Sequence, residues 1–197
     1  MRKTIRMMMT LAVVLSVAAL ITAQDSRPPS PAASALVSIN TYARHVDRFI
    51  KINNQRRRVF GDVGDEQENW REFKGKVAKG EADPDDLDDV AYVWLRQGKV
   101  VAVFFTFQSG SRDWGHFVTY YFREDGTLAK IHSRLNTFYG SVTAIRDQYY
   151  SASGKLLKKT ARFLDIQTQK RKKNPNFHDE PTPVYLNVRK LPFFKLL

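Results

Sequence analysis

Two histidines and two runs of consecutive bases are the residues of this chain best suited to chemistry. His116 and His132, with Lys130 beside the second, are types used for general acid–base catalysis, because imidazole titrates near neutral pH. They give a hydrolase reading. Arg56-Arg57-Arg58 and Lys170-Arg171-Lys172-Lys173 suit an anionic partner instead. Trp94, Phe104, Trp114, Tyr120 and Tyr139 are candidates to line an apolar pocket for a small ligand.

Strand register tests the histidine pair. With a tight turn at Asp125-Gly126, His132 faces Thr119 and His116 faces Leu135. Sides alternate along a strand, so the two rings fall on opposite faces. A one-residue slip or a bulge is needed to reunite them.

Charge is uneven along the chain. Residues 65–89 hold ten acids and four bases, a net −6, whereas residues 155–173 hold eight bases and one acid, a net +7. Basic residues interleave with aromatics in Tyr120-Tyr121-Phe122-Arg123, but alternating aromatics first describe a core face, and no recognised nucleic-acid motif is present. The reading therefore goes against nucleic acid.

Several chemistries lack their residues. The chain has no cysteine, which excludes disulfides, thiolate nucleophiles and thiolate zinc sites. No His-Glu-x-x-His, Gly-x-Ser-x-Gly or phosphate-binding glycine loop occurs. Asp83, Asp85, Asp86, Asp88 and Asp89 offer oxygen ligands, but without EF-hand spacing or its glycine. Helix capping accounts for them, so neither a metal nor a cofactor is expected.

The elements that must position these residues follow from punctuation and period. Residues 1–23 have the order of a signal peptide: Arg2, Lys3 and Arg6, an apolar run to Ala23, then polar Gln24-Asp25-Ser26. Its apolar run is short for a membrane span, so no span is expected after cleavage. The leader holds three of the 32 Lys+Arg and none of the 20 Asp+Glu, which leaves 29 bases against 20 acids, a net +9. Residues 24–33 read as a proline-rich disordered lead. Residues 34–197 read as one domain, with a basic, proline-punctuated segment over 165–197.

Leu36, Ile39, Tyr42, Ala43, Val46, Phe49 and Ile50 recur at helical spacing from Ser34, with Asn53 and Asn54 as terminators. A second helix is expected from Asp65 to Gly80, with Trp70, Phe73 and Val77 on one face, and a short third start at Asp83-Pro84. From Val90 three hairpins follow, turning at Gln97-Gly98, Glu124 to Thr127, and Ser151 to Gly154. The last two look like copies of one unit. Val100 to Phe107 reads as a central strand and Val184 to Val188 as a short final one. Leu191 to Leu197 is apolar enough to fold back onto the domain. The expected fold is α+β: two N-terminal helices packed on an antiparallel meander of about six strands.

The expected function is non-enzymatic: an exported soluble domain, periplasmic or secreted, that binds or associates with the cell envelope through a basic surface. Its expected partner is an anionic envelope component or a small apolar ligand. The alternatives are a small hydrolase using His116 or His132, and a structural module assembled through a sheet edge or the apolar C-terminus.

Overall fold

The computed structural model describes residues 30–64, 67–74 and 87–197. It contains a nine-stranded antiparallel sheet and, among the described residues, one α-helix. This corrects the expectation of two helices on about six strands.

Helix α1 spans Pro31–Ile52. Pro31 sits where its missing N–H costs nothing, and the Ser30 hydroxyl accepts from the Ala33 amide. The helix thus takes up residues 31–33, which the sequence suggested were part of a disordered lead. It stops at Asn53, whose backbone N–H and side-chain amide both donate to the Phe49 carbonyl.

The strands are β1 (Arg58–Asp62), β2 (Trp70–Phe73), β3 (Asp89–Arg96), β4 (Lys99–Gln108), β5 (Trp114–Phe122), β6 (Leu128–Thr137), β7 (Val142–Tyr150), β8 (Leu156–Asp165) and β9 (Arg171–Lys172). Their order in the sheet is β2-β1-β3-β4-β5-β6-β7-β8-β9. Three of these strands were not expected: β1, β2 and β9.

The second helix is the main misreading. Trp70 and Phe73 are three residues apart, which suits a helix face, yet they lie in β2 paired against β1. Strand alternation sends them to opposite faces. Trp70 packs edge-on against Phe105 at 5.7 Å and lies 5.2 Å from Phe193, while Phe73 sits over Gly61. The Arg58 guanidinium grips Glu72 with two bonds of 2.7 and 2.9 Å, which locks β2 to β1. Tertiary packing and this ion pair override local helix preference. The start expected at Asp83-Pro84 lies outside the described residues.

The three expected hairpins form, and they share a device. Gly98, Gly126 and Gly154 recur every 28 residues, each at positive φ (75°, 81° and 80°). Just beyond each turn the register slips by one, at Trp94/Leu95, Tyr121/Phe122 and Tyr149/Tyr150. The extra residue in each returning strand is Val101, Ala129 or Leu157. All three pack beneath α1. Each bulge therefore adds one residue to the surface that meets the helix.

The two faces have different covers. On the helix face, Ile39, Ala43 and Val46 meet Trp94, Val101, Ala102, Tyr121, Ala129 and Tyr149. On the other face, Phe60, Val93, Val103, Phe105, Val118, Tyr120 and Ile131 form the main core. The C-terminal segment closes that core: Phe193 stacks on Phe60 at 4.5 Å and Leu191 is buried beside it. The stretch 184–188 is not a strand; only Thr127 bridges to Asn187, and a 3-10 turn follows at Val188–Lys190.

Candidate binding surface

The histidines occupy opposite faces. His132 pairs with Thr119, and His116 with Leu135; the turn itself closes Arg123 against Thr127, one residue off the expected pairing, and the bulge at Ala129 restores the register. His116 is 2% exposed on the C-terminal-segment face. Its Nε2 lies 3.3 Å from the Thr182 hydroxyl. Burial, reinforced by the nearby Arg146 charge, pulls its pKa down to about 4. This ring is neutral packing at physiological pH.

His132 lies on the helix face with Nδ1 2.9 Å from Asp147, which also accepts from Lys130 at 2.9 Å. Burial alone would raise the Asp147 pKa, but the bonds from His132 and Lys130 overcome it and hold it near 2. Thr119 and Thr160 flank this pair in the register. Neither hydroxyl bonds to the ring among the described residues. Among the described residues, the geometry gives His132 an orienting acid and no hydroxyl bonded to its ring.

The candidate bases divide into committed and free. Arg58 is committed: besides Glu72 it donates to the Leu196 carbonyl at 2.6 Å and the Leu197 carbonyl at 2.9 Å. Arg57 donates to Asn54 and stacks 5.0 Å over the Tyr92 ring. Lys172 is pinned by the Gly140 and Ser141 carbonyls and by Asp165. Arg56 is exposed at the end of a 3-10 turn, far along the sheet order from the other run. Lys170, Arg171 and Lys173 are exposed and make no ion pair among the described residues.

Four further bases join these three. Lys155, at the turn, and Lys158, Lys159 and Arg162 of β8 are exposed, and none makes an ion pair among the described residues. Seven unpaired positive side chains therefore collect along one edge of the sheet. Asp165, the acid within this stretch, is taken up by Thr168 and Lys172. The sequence count of +7 registered this charge, but the site assignment stopped at the consecutive run. The missed signal is Lys158-Lys159-Thr160-Ala161-Arg162, whose lack of apolar alternation marks a stretch of strand with neither face in a core.

A local group of acids lies toward the opposite end of the sheet. Asp89 sits beside Asp62, Asp88 and Glu68; burial first, then these like charges, push its pKa up to about 6.

The five pocket aromatics do not converge. Trp94 is buried beneath α1, and Phe104 is half-buried on that same face, stacked with Tyr92 at 6.0 Å. Tyr120 is on the other face, donating to the Pro183 carbonyl at 2.8 Å. Trp114 packs near Leu135 and Val142, and Tyr139 is 63% exposed in the β6–β7 turn. Two shallow grooves instead share Ser38, Ile39 and Arg123 along α1, about 360 and 480 Å³ in volume.

Among the described residues no helix is long and apolar enough to cross a membrane, and no cluster of three or more His, Asp or Glu is arranged to hold a metal. No protein-family model, curated protein or solved structure matches this chain.

Proposed function

We propose that this protein is a non-catalytic binding domain, exported by its N-terminal leader, that engages an anionic partner of the cell envelope through the basic β8 edge. One observation carries the reading. Lys155, Lys158, Lys159, Arg162, Lys170, Arg171 and Lys173 gather on one edge with no ion pair among the described residues, while Arg58 and Lys172 are spent on structure. Among the described residues, none of these seven side chains makes an ion pair that holds the fold together. Unpaired bases crowded on one strand repel each other, and an anion relieves that repulsion.

A soluble polyanion tests it. Heparin binding should weaken steeply between low and physiological salt, as screening predicts. Replacing Lys158, Lys159 and Arg162 with Gln should reduce affinity at least about tenfold, with thermal stability unchanged or slightly raised, because these side chains are exposed and their mutual repulsion is relieved. Equal binding by the triple variant would remove the reading.

A further inference from the structure

The basic edge is also an open edge of backbone. Strand β9 covers only Phe163 and Leu164 of β8. The Asp165 amide donates to the Lys170 carbonyl, so residue 165 points its backbone groups away from β7. Backbone direction alternates along an antiparallel strand, so Phe163, Ala161 and Lys159 point the same way. Phe163 is satisfied by β9. Ala161 and Lys159 present their N–H and C=O groups with no strand against them among the described residues, in a stretch where Lys158 to Arg162 are all exposed.

Such an edge is a template for another strand, and lysine on an edge is a known guard against it. Here the guard is selective. Two copies of this edge would bring Lys158, Lys159 and Arg162 against their own kind, and like charges across a ladder destabilise it. A strand bearing carboxylates meets the reverse condition. Lys158, Thr160 and Arg162 share the helix face of the sheet, so acids at every second position of an incoming strand would lie opposite them.

We propose that the anionic partner is an extended acidic peptide segment that adds to β8 as a further strand, beyond the end of β9. This rests on the anionic-partner reading and narrows it. The outward N–H and C=O groups of Ala161 and Lys159 recur about every 7 Å, a spacing that another peptide backbone matches. A polysaccharide or lipid headgroup would use the side chains alone.

Substitution of Ala161 by Pro separates the two. Proline at 161 removes an outward N–H, leaves the β7 ladder intact and changes no charge, and edge strands accept proline on that side. The probe is a capped, fluorescently labelled octapeptide with glutamate at every second position, alongside the same sequence N-methylated at every residue, and heparin. The wild-type protein should bind the plain peptide and discriminate against the N-methylated one at least about tenfold. Ala161→Pro should lose the plain peptide to the same extent and keep heparin within about twofold.

The N-methylated peptide needs no protein variant, so misfolding cannot mimic the result. Equal binding of both peptides, or heparin binding without peptide binding, would overturn strand addition and leave the anionic reading standing. Failure of heparin and peptide together would remove both. Self-association of the wild-type protein that Ala161→Pro abolishes would assign the edge to a second copy and overturn the peptide.

Discussion

Two titrating residues set opposing pH trends. His116 is held neutral by burial, with a pKa of about 4 against an ordinary 6.5. Between those values the unfolded chain takes up a proton that the fold refuses, so stability is lost as pH falls through that window. Asp89 is the reverse. Its carboxyl is raised to about 6 from 3.8, so the fold binds a proton first, and stability is gained as pH falls from about 6 toward 4. The wild-type protein should therefore show a shallow stability profile between pH 6.5 and 4. Asp89→Asn should be more stable at pH 7 and then lose stability steeply toward pH 4. His116→Gln should show the opposite slope. Urea midpoints across that range read both, and parallel profiles for all three proteins would contradict the assignment. The histidines fall on opposite faces as alternation suggested, but through two offsetting changes the sequence does not announce: a turn longer by one residue and the bulge at Ala129. The half-buried Asp89 was not legible, because its neighbours Asp62 and Glu68 arrive from other segments.

At the level of elements, the glycine turns carry the repeat. Gly98 has nothing within 4 Å of an added Cβ, so Gly98→Ala reports the positive φ alone, about 1 kcal/mol. At Gly126 the added carbon would also meet Val188 Cγ2 at 3.2 Å. Gly126→Ala should cost more, roughly 2 kcal/mol. Equal losses in urea denaturation would show that the C-terminal segment does not press on that turn.

The same comparison shows what the sequence could convey. Hairpins with glycine turns and aromatic arms declare themselves locally, and the stripe of α1 is regular from Leu36 to Ile50. Strands β1 and β2 do not, because Arg58–Asp62 holds only two large apolar residues and Trp70–Phe73 mimics a helical step. Their pairing depends on the Arg58–Glu72 contact across the ladder. Strand β8 was recognised as a returning arm, but its place next to the short β9 became visible only in the sheet order.

Among the described residues, the whole molecule is a sheet covered on each face. The helix covers one face, and the last residues of the chain cover the other. Phe193 is 1% exposed and touches Phe60, Trp70 and Phe105. Phe193→Ala should therefore cost about 3–5 kcal/mol, visible as a large drop in urea midpoint. A loss below about 1 kcal/mol would mean that the tail is dispensable to the core. The acidic group around Asp89 lies near the β2 side, and the unpaired bases lie at β8.

The most direct measurement is heparin affinity as a function of salt for the wild-type protein and for the Lys158→Gln, Lys159→Gln, Arg162→Gln triple variant. Our account predicts salt-sensitive binding that the triple variant loses at least about tenfold at low ionic strength, while its fold is retained. Binding that is indifferent to salt, or unchanged in the variant, would contradict the assignment of the β8 edge as the binding surface.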